Sequence, residues 1–236
     1  IDHYQPIGMI AGVEPLTKKI LENSQSLKVI SRCGIGLDSV DITTAKKLGI
    51  IVINTPNAPT KSVAELTLGM ILTILRSIHL SDASIRKNSW QRPMGSLLHG
   101  KTIGIIGCGR IGIYLAELLS PFRCNVLGYD VLKKLSEFYQ SISLKDLLSQ
   151  ADIVTLHLPY SSENHHFMNK ERINLMKQGA ILVNVSRGGL VDEAALHEAL
   201  KASHLGGAAL DCFQEEPYIG PLTELDRVLL TAHIGS

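Results

Sequence analysis

The sequence lacks an excess of charge of either sign: 23 Lys and Arg stand against 22 Asp and Glu, a formal charge of +1. No basic stripe argues for nucleic acid, and no acidic block argues for a solvated tail. No apolar run approaches the ~20 residues that a membrane span requires, and no signal-peptide pattern opens the chain. Cysteine is scarce. Cys33, Cys108, Cys124 and Cys212 are scattered without CxxC spacing. That argues against a disulfide framework and against a metal site, and for a reducing, cytoplasmic setting.

What is present is a chain of 236 residues, 45% of them apolar. It has enough apolar residues for a sizeable core, one large α/β domain plus part of another. The chain opens on Ile1 and stops at "TAHIGS", directly after a strand-like run, and so reads as a piece of a longer protein.

Strand-like runs alternate with helical patterns. "LKVISRC" (27–33), the helical "DITTAKKLG" and "IIVIN" (50–54) make a short βαβ piece. "TPNAPT" (55–60) reads as a linker. Ser62 and Glu65 form a capping-box pattern at the head of one long apolar helix, 62–87. The apolar residues of that helix occupy more than one face. A buried core helix and an inter-subunit helix are both compatible with this breadth. A second series follows: "KTIGIIG" (101–107), "NVLGYD" (125–130), "DIVTLHLP" (152–159), "AILVNV" (180–185), "GGAALD" (206–211) and "RVLLTAH" (227–233). Helical patterns at 110–119, 143–149, 170–177 and 192–201 fill most gaps. Such β–α alternation implies a doubly wound parallel sheet, class α/β, covered on both faces.

"GIIGCGRIG" sets Gly107, Gly109 and Gly112 in G-x-G-x-x-G spacing, between an apolar strand and a helix. Asp130 ends the next strand about twenty residues on, which completes a Rossmann dinucleotide fingerprint. Gly107 permits the tight turn, Gly109 lets backbone approach the pyrophosphate, and Gly112 lets helix and strand pack. The helix N-terminus offers free amides to the anion. A carboxylate at Asp130 accepts ribose hydroxyls and repels a 2′-phosphate, so NAD is expected over NADP.

Ligands of open parallel sheets lie beyond the carboxyl ends of the strands. Arg187, Glu216 and His233 each follow such an end. Singly, each reads as well as a surface or structural residue. Together, beside a dinucleotide, they suit hydride transfer to a carbonyl. His233 would move the hydroxyl proton, Glu216 would orient the imidazole, and Arg187 would clamp a substrate carboxylate.

"GIIGCGRIG…YD", "NVSRGGLVDEAAL", "ALDCFQEEP" and "TAHIGS", with "RCGIGLDSVD" and "NTPNAPTKSVAELTLGMIL", resemble the D-isomer-specific 2-hydroxyacid dehydrogenases. The resemblance covers essentially the whole chain. It implies a catalytic set of Arg187, Glu216 and His233. It implies NAD contacts at Arg110, Ile111, Asp130, Leu158, Pro159 and Asp211, the last near the nicotinamide carboxamide. It implies that the amides of Gly34, Ile35 and Gly36 receive the substrate carboxylate. Two domains are implied: a partial flavodoxin-like substrate-binding domain at 1–57, and an NAD-binding domain at 58–236 with its Rossmann core at 100–236. A homodimer built on the long helix is implied too. Within the family the chain is most similar to D-3-phosphoglycerate dehydrogenases, whose phosphate-facing arginine would be Arg32. Departures are Ala232 for the usual proline, Cys212 for a frequent valine and Arg123 for a common glycine. Further N-terminal βα units and a C-terminal helix of the family are not in this sequence. The alternative reading is an NAD(H)-sensing binding module, corepressor-like, which keeps the same three residues.

Overall fold

The computed structural model describes residues 4–12, 14–132 and 136–235; Ser236, the end of the terminal motif, lies outside them. The chain divides into two compact units, with the boundary between Thr60 and Lys61.

In the first unit, β1 (Gly8–Ala11), α1 (Lys18–Glu22), β2 (Val29–Arg32), α2 (Ile42–Lys47) and β3 (Ile51–Asn54) alternate. The strands form a parallel sheet in the order β1-β2-β3. Asp41 starts α2 by accepting the Thr44 amide at 2.9 Å, filling one of the first-turn donors that have no helical partner. Leu16, Leu21, Leu27, Ile30 and Ala45 bury the helix-covered face. The opposite face carries Ile10, Ile51 and Ile53, at least half exposed.

The second unit holds one seven-stranded parallel sheet. Its strands are β4 (Thr102–Ile106), β5 (Asn125–Tyr129), β6 (Gln140–Ser141), β7 (Ile153–Leu156), β8 (Ile181–Asn184), β9 (Gly207–Leu210) and β10 (Val228–Leu230). The order is β10-β9-β8-β7-β4-β5-β6. Strands β7 and β9 are buried at every position, as expected for strands covered on both faces. One face packs on α6 (Leu144–Gln150), α7 (Lys170–Leu175) and α8 (Glu193–Lys201). The other packs on α3 (Thr60–Leu75) and α5 (Arg110–Leu119). Chain progression reverses between β4 and β7, so the loops after these two strands diverge and open a crevice.

The single helix expected over 62–87 is two helices. α3 ends at Leu75, and α4 (Ile78–Arg86) departs at 66°. Between them Ser77 adopts a left-handed conformation, φ 52°. The Leu75 carbonyl accepts the Ser96 amide at 2.8 Å instead of continuing the helical ladder. The Ser62–Glu65 capping box is also absent. The helix starts at Thr60, and Ser62 Oγ donates to the Gly235 carbonyl at 2.9 Å. Among the described residues no single helix is long and apolar enough to cross a membrane, though the bent α3–α4 pair passes by length and composition.

Candidate active site

The loop after β4 turns at Gly107, whose φ of +96° suits only glycine. A Cβ there would also meet the His157 carbonyl at 2.6 Å, so the segment entering Leu158 and Pro159 lies against the glycine loop. Gly109 faces open space and precedes α5, whose N-terminus has no side-chain cap. Arg110 and Ile111 open that helix, and Gly112 packs on the Gly107 carbonyl. Asp130 follows β5 and is joined to the loop: its Oδ2 accepts the Cys108 amide at 2.8 Å and its Oδ1 accepts Leu132 N at 2.9 Å. An uncapped helix end beside a carboxylate, with room at Gly109, fits a dinucleotide with free ribose hydroxyls.

His157 lies where β7 gives way to this crevice. Its Nε2 pairs with Thr155 Oγ1 at 3.1 Å, and its Nδ1 is buried without a hydrogen-bond partner. Burial pushes its pKa down to about 3.

Arg187 is carried by a buried polar brace. Asn184, the last residue of β8, is fully buried. Its Nδ2 donates to the Arg187 carbonyl at 2.9 Å, and its Oδ1 accepts Ser186 N at 3.1 Å. Ser186 Oγ donates to the Leu156 carbonyl at 2.7 Å, and Arg187 Nη1 to the Ser186 carbonyl at 2.7 Å. A Cβ on Gly188 would collide with the Phe213 backbone, so only glycine lets the Arg187 turn touch the loop after β9.

Glu216 sits on that loop and His233 follows β10. The His233 Nδ1 lies 3.1 and 3.0 Å from Glu216 Oε1 and Oε2. Asp211, 1% exposed, holds the His233 segment in place. Its Oδ1 accepts Thr231 Oγ1 at 2.6 Å and Ile234 N at 2.9 Å, and its Oδ2 accepts Gly235 N at 3.0 Å. A cavity of about 560 Å³, walled by Phe213, Tyr218 and Leu230, backs onto Glu216 and His233. Arg187 lines a second cavity with Glu193, Gln214, His166 and Tyr160. Burial drives the Cys212 thiol pKa far up, with Arg187 pulling it down, so this cysteine stays neutral between the arginine turn and the glutamate loop.

In the first unit Arg32 is 6% exposed, and its Nη1 donates to the Cys33 carbonyl while its buried Nε has no partner. The Gly34 amide is already engaged, donating to Thr55 Oγ1 at 2.9 Å. The Ile35 carbonyl accepts Asn54 Nδ2 at 2.7 Å, and Gly36 lies in the same half-exposed turn.

Sequence reasoning missed Asn184, His157, Glu193 and the anchoring role of Asp211. For Asn184 a signal existed: one amide inside the apolar run "AILVNV" has to find partners.

A model of the family "D-isomer specific 2-hydroxyacid dehydrogenase, NAD binding domain" matches residues 68–235. The chain is 43% identical over 230 residues to a D-3-phosphoglycerate dehydrogenase of Methanocaldococcus jannaschii, covering 94% of this chain and 44% of the relative. It is 40% identical over 236 residues to a glyoxylate reductase of Thermofilum pendens, covering 94% and 70%. Among solved structures, the TT0316 protein of Thermus thermophilus superposes with a TM-score of 0.92 at 38% identity, covering 98% of this chain and 76% of that one. A D-lactate dehydrogenase of Aquifex aeolicus, complexed with NAD and lactic acid, gives 0.88 at 32%, covering 100% and 78%. The chain thus spans less than half the length of the phosphoglycerate dehydrogenase.

Proposed function

The chain belongs to the D-isomer specific 2-hydroxyacid dehydrogenase family, and on that footing we propose that it carries the catalytic edge of an NAD-dependent oxidoreductase. The reaction is hydride transfer between a nicotinamide and a D-2-hydroxy acid or its 2-oxo acid. The observation that carries this reading is the His233–Glu216 pair at 3.0 Å, on the same sheet edge as the glycine loop.

NADH, when bound, supplies the hydride. In reduction, His233 gives its Nε2 proton to the carbonyl oxygen; in oxidation it takes that proton back. Glu216 on Nδ1 fixes the ring orientation and the tautomer. Arg187 offers its planar donor fork to the substrate carboxylate. Gly107, Gly109, Arg110, Ile111, Gly112, Leu158 and Pro159 cradle the dinucleotide, and Asp130 takes the ribose hydroxyls.

Residues 1–57 are assigned to a substrate-binding domain and 58–236 to the cofactor domain. Arg32 and the 34–36 amides are assigned to the acidic groups of the substrate, with the Gly34 amide already committed to Thr55. The substrate class proposed is a 3-phosphoglycerate-type acid, supported by relatives of that name at 37–43% identity and by the buried, under-partnered Arg32 guanidinium. A homodimer through the α3–α4 region is supported by exposed Ile78, Ile85, Trp90, Met94 and Leu97. The four scattered cysteines, with no CxxC spacing, fit a reducing cytoplasm.

The test is NADH oxidation by the full-length protein with glyoxylate, pyruvate and phosphohydroxypyruvate. Turnover is expected, fastest with the phosphorylated acid and faster with NADH than NADPH. Saturable NADH binding with no turnover of any 2-oxo acid would overturn the enzyme reading.

A further inference from the structure

Glu216 does not hold His233 unaided. Its Oε1 also accepts the Phe213 amide at 3.0 Å, so its carboxylate moves with the 213–216 loop. The next amide along, Gln214 N, donates to Glu193 Oε1 at 2.8 Å. Glu193 is the first residue of α8. That helix is well anchored: Asp192 caps it by accepting the Ala195 amide at 3.0 Å, and Leu196 and Leu200 are buried in the core. Glu193 therefore ties a loop to a rigid element. A second tie reaches the same residue, because Gln214 Nε2 is hydrogen-bonded to His166 Nε2. His166 is itself held by its amide, which donates to the Gly189 carbonyl at 2.8 Å.

We infer that Glu193 is a positioning residue for the Glu216–His233 pair, acting through the Gln214 amide. This rests on the proton-transfer role proposed above for His233. Neighbouring carboxylates thus hold neighbouring amides of one loop: Glu193 holds Gln214 N, and Glu216 holds Phe213 N. Loss of the first removes the backbone tie next to the one that Glu216 makes. Burial raises the Glu193 pKa, the Gln214 amide opposes this, nearby Glu215 adds to the rise, and His166 reduces it.

The test uses the full-length protein with Glu193→Asp and Glu193→Gln. Aspartate keeps the negative charge at the helix start but falls short by one methylene, about 1.5 Å, beyond hydrogen-bond reach of Gln214 N. Glutamine keeps the reach and an acceptor oxygen but loses the charge. Two readouts apply. One is the split between kcat and KM for reduction of a 2-oxo acid. The other is the NMR signal of the His233 Nδ1 proton, which lies far downfield when bonded to a carboxylate and needs no turnover. With Glu193→Asp, kcat drops several-fold while KM changes little, and the proton signal broadens or moves upfield. With Glu193→Gln, both kcat and the signal stay as in the unsubstituted protein. If the signal responds this way while no 2-oxo acid turns over, the role of Glu193 stands and the functional reading falls. An aspartate variant matching the unsubstituted protein in both readouts overturns the inference, as does a glutamine variant equally impaired.

Discussion

Both carboxylate oxygens of Glu216 lie within hydrogen-bond distance of one nitrogen of His233, at 3.1 and 3.0 Å. A carboxylate so placed holds the imidazole in one orientation and leaves Nε2 for proton transfer. Glu216→Gln keeps the size of the side chain but loses the carboxylate, and kcat for reduction of a 2-oxo acid is expected to fall by roughly 10²-fold, with NADH affinity nearly intact. A kcat equal to that of the unsubstituted protein removes Glu216 from this role.

Asp211 is a second dependence of His233, at the level of loop structure. Three donors from residues 231–235 converge on a carboxylate that is 1% exposed. Asp211→Ala leaves these donors unmatched in a buried place, for an expected loss of about 2–4 kcal/mol. Denaturant titration reads the loss, and kcat should fall with it. An unchanged unfolding midpoint would show that the loop does not depend on Asp211.

His157 predicts an acid weakness of the fold. Its folded pKa is about 3, against 6.5 for an unperturbed histidine, because burial disfavours the charged ring. Between those values the unfolded chain takes a proton that the folded chain refuses. Stability is therefore lost as pH falls from 6.5 toward 3, by about 2 kcal/mol at pH 5 from this residue. His157→Leu should flatten the decline between pH 7 and pH 5. Equal declines in the two proteins would rule this out.

Much of this fold was readable before any coordinates. Buried parallel strands are continuous apolar runs, so β4, β5, β7, β8 and β9 stand out in sequence. β1, four residues beginning with glycine, and the two-residue β6 leave almost no pattern. The break after Leu75 has no proline or glycine to announce it; the Leu75 carbonyl there accepts a hydrogen bond from Ser96, remote in sequence. In the candidate site, the placement of Arg187, Glu216 and His233 beyond strand ends was legible, because such ends meet on one edge of a parallel sheet. The residues that hold them, Asn184, Asp211 and Glu193, act through loop contacts that no spacing encodes.

A variant at Arg187 tests substrate binding apart from cofactor binding. Arg187→Lys keeps the charge and loses the paired donors, at an expected cost of about 1–3 kcal/mol in kcat/KM for the 2-oxo acid. NADH affinity, read by fluorescence titration, should hold within a factor of about two, because the glycine loop and Asp130 are untouched. Unchanged kcat/KM with the lysine variant would dismiss the clamp.

The most direct trial is His233→Ala, measured twice on the full-length protein: kcat for 2-oxo acid reduction, and the dissociation constant for NADH. A proton donor held by Glu216 and lying off the glycine loop should cost roughly 10²–10⁴ in kcat when removed, with NADH binding nearly intact. A variant that keeps kcat within a few-fold of the unsubstituted enzyme would contradict the assignment of His233 as the proton-transfer group.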